Sequence, residues 1–136
     1  MNFTHLVGNT PMIRIRYKLD GREGFVWAKL EAYNLSGSIK DRLAAHVITK
    51  STANGTLKPG QPIVEAVSGP FATALTLAGQ TAGHPVVLVM PEDAPAMRQE
   101  SLLRLGAQIL HTPAQAGPAG ARAEAEAKAA EKGWFY

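Results

Sequence analysis

The chain has 136 residues, 46% of them hydrophobic and 18% charged, enough apolar material for one compact core and too much for a disordered tail. Its 14 Lys and Arg against 11 Asp and Glu leave a formal charge of +3, with the cations scattered rather than interleaved with aromatics, so no nucleic-acid partner is expected. It has no cysteine, which excludes disulfides, thiolate nucleophiles and cysteine-ligated metal; no apolar run approaches the roughly 18 residues that span a bilayer, and the first residues lack the basic-then-apolar shape of a secretory leader, so no membrane partner and a cytoplasmic location are expected.

Met12-Ile13-Arg14-Ile15-Arg16-Tyr17 alternates apolar and basic side chains, the period of a half-buried strand. Asp20-Gly21-Arg22-Glu23-Gly24 reads as a turn and Phe25 to Leu30 as a second strand, so the pair predicts a hairpin. Asn34-Leu35-Ser36-Gly37-Ser38 gathers turn and capping residues. A helix is predicted over 39–53, with Ile39, Leu43, Ala44, Val47 and Ile48 at helical spacing, Ser36 or Ser38 as its cap and Asn54-Gly55 as its stop. Past Lys58-Pro59-Gly60 the pattern changes. The runs 62–67, 85–90 and 107–112 are short and apolar, and each is followed by a helical stretch: 70–82, 94–105 and 116–132. The charges of the last stretch, Glu124, Glu126, Lys128, Glu131 and Lys132, read as a solvated face.

Apolar strands alternating with helices imply a parallel sheet covered on both faces, with right-handed crossovers. The expected fold is α/β: an N-terminal β-hairpin plus a small three-layer α/β/α domain. One unit spans 1–136, with strands in 1–33 and the small α/β domain in 34–136.

Few residues offer chemistry. His5, His46, His84 and His111 do not pair with one another or with carboxylates at ligand spacing, so no metal site is expected. There is no Gly-x-Ser-x-Gly elbow, no P-loop and no Gly-x-Gly-x-x-Gly, which disfavours a nucleotide-binding domain. One segment stands apart, Asn34-Leu35-Ser36-Gly37-Ser38-Ile39-Lys40-Asp41-Arg42. It puts Lys40 in the first turn of a helix, whose positive end disfavours the ammonium form. A neutral lysine amine is what imine chemistry on an aldehyde requires; an ordinary exposed lysine beside Asp41 and Arg42 is the plainer alternative.

Val7-Gly8-Asn9-Thr10-Pro11-Met12 resembles the opening motif of the fold-type II pyridoxal-phosphate enzymes, and is most similar to cysteine synthase (O-acetylserine sulfhydrylase) and cystathionine β-synthase. Ala28-Lys29-Leu30-Glu31, Asn34 and Ser36 to Arg42 match the segment that holds this family's Schiff-base lysine. Leu57-Lys58-Pro59-Gly60, Ile63-Val64-Glu65-Ala66, Leu88-Val89-Met90-Pro91-Glu92 and Leu105-Gly106-Ala107 follow in family order. The resemblance implies pyridoxal phosphate as cofactor, Lys40 as the catalytic and cofactor-binding residue, and Ser68 and Gly69 in the loop that holds the substrate carboxylate.

The chain departs from the family pattern in two ways. Family members are about twice as long, and the resemblance places the glycine-rich phosphate loop and the partner of the pyridine nitrogen in their second half. The substrate loop, usually Thr-Ser-Gly-Asn-Thr-Gly, reads Val67-Ser68-Gly69-Pro70-Phe71-Ala72 here. Pro70 has neither N–H nor polar side chain, and Phe71 replaces a hydroxyl with an apolar ring, so the loop is stripped of donors while Pro70 still suits a helix start. The expectation is a truncated, cysteine-synthase-like protein, not catalytic by itself, that acts through association: with itself, with a paralogue, or with a polypeptide supplying the second half. Phe25, Trp27, Leu30, Trp134 and Phe135 are expected to lack cover. The alternative is an active β-replacement enzyme, making cysteine from an activated serine, completed by a second chain.

Overall fold

The computed structural model describes residues 4–136. A ribbon comes first. Strands β1 (Met12–Leu19) and β2 (Arg22–Lys29) pair antiparallel through Asp20 and Gly21. Both turn residues have positive φ, 48° and 76°, the signature of the two-residue type I′ turn whose twist matches a hairpin. The turn is therefore tighter than the five-residue one predicted, and both strands run further.

The register fixes the ribbon's two faces. Ile13, Ile15, Tyr17 and Leu19 stand opposite Ala28, Val26, Gly24 and Arg22 on one; Arg14, Arg16 and Lys18 stand opposite Trp27, Phe25 and Glu23 on the other. Tyr17 lies over Gly24, where a Cβ would come within 2.7 Å of its ring and hydroxyl. Arg14 sits 5.4 Å from the Phe25 ring centroid. Most of the ribbon's large side chains are exposed, Leu19 by 65% and Trp27 by 59%.

The rest is a three-layer α/β/α unit, as predicted. Strands β3 (Ile63–Ala66), β4 (Val86–Pro91) and β5 (Gln108–Thr112) are parallel, in the order β3-β4-β5. Helices α1 (Lys40–Ala53), α2 (Pro70–Thr81) and α3 (Ala96–Arg104) belong to one core, and α4 (Gly117–Lys132) closes the other face. Val86 to Met90 are all buried, which explains β4's unbroken apolar run: a central strand of a covered sheet has no solvent side. Full burial of each such side chain stabilises the fold by about 1.5–3 kcal/mol. Gly79 lets α2 approach β4, because a Cβ there would overlap Val86 Cγ2.

Three expectations need correction. The alternation in β1 predicts a half-buried strand, yet all eight of its residues are exposed, because no described element packs on either face of the ribbon. Ile39 and Leu43, assigned to the buried face of α1, are exposed, and the helix packs through Ala44, Ala45 and Ile48 instead. Leu30, Trp134 and Phe135 do not lack cover: all three are half-buried. Phe135 forms a parallel bridge to Ile63, its carbonyl accepting from Val64 N–H at 2.8 Å and its N–H donating to the Pro62 carbonyl at 2.9 Å. The segment after α4 thus lengthens the sheet beside β3. Phe25 and Trp27 are exposed, as expected. Among the described residues no helix is long and apolar enough to cross a membrane.

Candidate functional site

Lys40 opens α1 and is exposed. The residue after it organises the turn. Asp41 is 2% exposed, and its carboxylate accepts from Ser36 N–H at 3.1 Å, Ser36 Oγ–H at 2.8 Å and Ser38 N–H at 3.2 Å. This acidic group stands in the first turn, at the positive end of the helix, and gathers the amides of the turn that leads into it. The N-cap of α1 is Ile39, with no side-chain cap bond, rather than either serine proposed; Ser38, one residue further out, accepts from Lys40 N–H through its Oγ at 3.1 Å. Ser36 turns its hydroxyl to Asp41.

Behind this turn lies a second polar cluster, drawn from three segments that are separate in the sequence. Glu31 receives Arg42 Nε at 2.7 Å and Nη2 at 2.9 Å, Thr10 Oγ1 at 2.8 Å and Asn34 Nδ2 at 2.8 Å. Gly8 N–H donates to Asn34 Oδ1 at 2.8 Å. Arg42 is the main cause that holds the Glu31 carboxyl well below the usual carboxylate range; partial desolvation opposes it, and Thr10 and Asn34 add to it. Glu31 in turn raises Arg42. The bidentate pair ties the base of the ribbon to the helix that carries Lys40. Its signal in the sequence is faint: Thr10, Glu31, Asn34 and Arg42 stand in the family-like motifs, and none of the four has a chemical role of its own there.

Ser68 and Gly69 link β3 to α2, and Pro70 forms the first turn of α2 as predicted. Phe71 packs against the core. Gly69 and Pro70 share a recess of about 430 Å³ with Ser36, Gly37, Ser38, Thr73 and Arg98. The two family-motif loops therefore meet, with the starts of α1 and α2 around one polar hollow. Ser68 does not line it but lines a separate recess, and Lys40 lines neither. Thr73 and Arg98 were not identified from sequence, since neither stands in a motif.

The profile of the pyridoxal-phosphate dependent enzyme family matches residues 3–136, and the chain belongs to that family. Its relatives place it among the cysteine-synthase-like members. It is 35% identical over 134 residues to a cysteine synthase of Staphylococcus aureus, covering 98% of this chain and 43% of that protein. It is 40% identical over 121 residues to the O-acetylserine dependent cystathionine beta-synthase of Bacillus subtilis, covering 88% and 39%. The crystal structure of a hydrogen sulfide-producing enzyme from Fusobacterium nucleatum superposes with a TM-score of 0.91 at 34% identity, over 97% of this chain and 40% of that one. The chain thus spans about four tenths of the length of these relatives.

The described residues meet the family cofactor only in part. Lys40 offers an exposed primary amine to an aldehyde. A phosphate dianion needs several converging N–H donors. The amides of Ser36 and Ser38 that converge at the start of α1 are already taken by the Asp41 carboxylate. Pro70, at the start of α2, has no N–H to give. The site as described does not fit the whole coenzyme, and no chemical step is derived through it.

Proposed function

We propose that this chain is a cysteine-synthase-like polypeptide that is not catalytic by itself and acts through association with another polypeptide surface. One observation carries the reading: Lys40 offers the amine for an aldehyde, while Pro70 gives no N–H at the start of α2 and the Ser36 and Ser38 amides are taken by Asp41, so the two loops that meet here leave no converging set of donors for a phosphate. The exposed ribbon supports the second half of the proposal. Ile13, Ile15, Tyr17, Leu19 and Val26 share one face, each at least 41% exposed, and contiguous apolar surface of this kind marks an interaction site. Self-association, a paralogue and a polypeptide carrying the phosphate ligands are the three partners this face would accept.

The exposed amine of Lys40 favours one further reading, an active β-replacement enzyme completed by a second polypeptide. Pyridoxal phosphate when bound supplies the electron sink for such chemistry. Lys40 would hold it, and Ser68 and Gly69 would lie beside the substrate.

Mixing the chain with pyridoxal phosphate, trapping with borohydride and mapping the adduct by mass spectrometry tests both readings. Weak, phosphate-independent labelling of Lys40, equal for pyridoxal and pyridoxal phosphate and absent in Lys40→Ala, is the expected result. Tight stoichiometric binding that depends on the phosphate group, with turnover of O-acetylserine by the chain alone, would refute the proposal. Light scattering reports on association, and a monomer at high concentration counts against it.

A further inference from the structure

Asn54-Gly55 closes α1 and is the one asparagine-glycine pair in the chain. Asparagine is a chemically labile residue. The amide nitrogen of the residue after it can attack its side-chain carbonyl, and a glycine there puts no Cβ in the way. The three described asparagines differ in how open they are to this. Asn34 is 5% exposed, and its carboxamide is held by Gly8 N–H and by Glu31. Asn9 is exposed but precedes Thr10, whose branched Cβ crowds the attacking nitrogen. Asn54, Gly55 and Thr56 are all exposed. Gly55 has φ 77°, and no atom lies within 4 Å of where its Cβ would stand.

The turn also readies the carbonyl. Asn54 Oδ1 accepts from Thr56 N–H at 3.0 Å and from Thr56 Oγ1–H at 2.7 Å; the same hydroxyl lies farther from the Ser51 carbonyl, at 3.3 Å. Two donors on one carbonyl oxygen stabilise the negative charge it gains under attack. What holds the reaction back is one bond of the helix end, Gly55 N–H to the Thr52 carbonyl at 3.2 Å, and the last turn of a helix frays at little cost.

We propose that Asn54 is a spontaneous deamidation site, activated by the two donors of Thr56. Solvent base takes the Gly55 amide proton, the nitrogen bonds to Asn54 Cγ, and the carboxamide nitrogen leaves as ammonia with a proton from water. The five-membered imide then takes up water at either of its two carbonyls, giving aspartate or isoaspartate. Aspartate places a negative charge at the negative end of α1. Isoaspartate routes the main chain through Cβ and adds one atom ahead of Leu57, which is 1% exposed and donates its N–H to the Ser51 carbonyl at 3.0 Å. Both products loosen, from its far end, the helix that carries Lys40.

The full chain is incubated in warm, mildly alkaline buffer beside the free peptide of residues 51–58. Deamidation is located by tandem mass spectrometry after proteolysis, and isoaspartate is counted by enzymatic methylation. The folded chain should convert at Asn54 within about tenfold of the peptide's rate, in proportion to hydroxide, while Asn9 and Asn34 stay intact. Thr56→Val should slow conversion about two- to tenfold with little change in unfolding midpoint, and Thr56→Ser should keep the parent rate. Aged parent should unfold at a lower denaturant concentration than fresh protein, and Asn54→Ser should not change with age. A folded chain still unmodified when the peptide has converted overturns the proposal. Thr56→Val at the parent rate or faster, or Thr56→Ser as slow as Thr56→Val, overturns the part given to Thr56.

Discussion

Replacing Asp41 with alanine removes the group on which the Lys40 turn is built. The parent carboxylate is buried and accepts from two amides and one hydroxyl, at 2.8–3.2 Å. A hydrogen bond to a charged acceptor contributes about 1.5–3 kcal/mol, but Ser36 and Ser38 are half-exposed, so water restores part of each. Loss of a negative charge from the first turn of a helix costs about 0.3–1 kcal/mol. Together these set the expected destabilisation of Asp41→Ala at about 2–4 kcal/mol. Asp41→Asn keeps one acceptor oxygen and should lose about half as much. Guanidinium unfolding followed by circular dichroism reads both.

The same substitution frees the Ser36 and Ser38 amides in the turn that leads into a 14-residue helix, and a loop of free amides running into a helix N-terminus takes anions. Inorganic phosphate should then stabilise the alanine variant and not the parent, by about 2.7 kcal/mol at a hundredfold excess over its dissociation constant. A loss under about 0.5 kcal/mol would refute the idea that Asp41 organises the turn. Equal stabilisation of parent and variant by phosphate would refute the idea that it fills an anion seat.

Thr112 Oγ1 is buried with no hydrogen-bond partner among the described residues, so Thr112→Val should raise stability by about 1 kcal/mol, measured as a higher denaturation midpoint at unchanged slope. Gly79→Ala gains about 1 kcal/mol of helix propensity, but its methyl would overlap Val86 Cγ2; overpacking costs about 1–3 kcal/mol, so a net loss is expected, and a net gain would show that α2 can move off β4. Glu31 is held below its ordinary value of 4.5, so the unfolded chain takes up its proton at higher pH than the folded one. Its stabilisation is complete above that ordinary value and is lost as pH falls through the lower folded value. Glu31→Gln should therefore be less stable than the parent at neutral pH, with the gap closing in strong acid. A gap independent of pH would assign the effect to packing.

The strands and helices were legible because each shows its period locally. The alternation Ile13, Ile15, Tyr17 appears in the ribbon register, and the unbroken run at Val86–Met90 appears as the buried central strand. Lys40 was legible as a residue of interest because the motif around it is contiguous. The errors came where the partner lies far along the chain. Ile39 and Leu43 have helical spacing, yet the helix turns its alanines inward, because the neighbouring α2 is itself rich in small buried residues, Ala72, Ala74 and Ala78. Phe135 counted as uncovered because its cover, Ile63, lies 72 residues earlier.

Sequence alone determined the α/β class, the hairpin, the likeness to cysteine synthase and the missing donors of the Pro70-Phe71 loop, since each depends on residue type and short spacing. Tertiary structure alone decided what Asp41 and Glu31 do. Their roles rest on which donors come within about 3 Å of a carboxylate, and that distance is set by how the ribbon, the turn and α1 pack together.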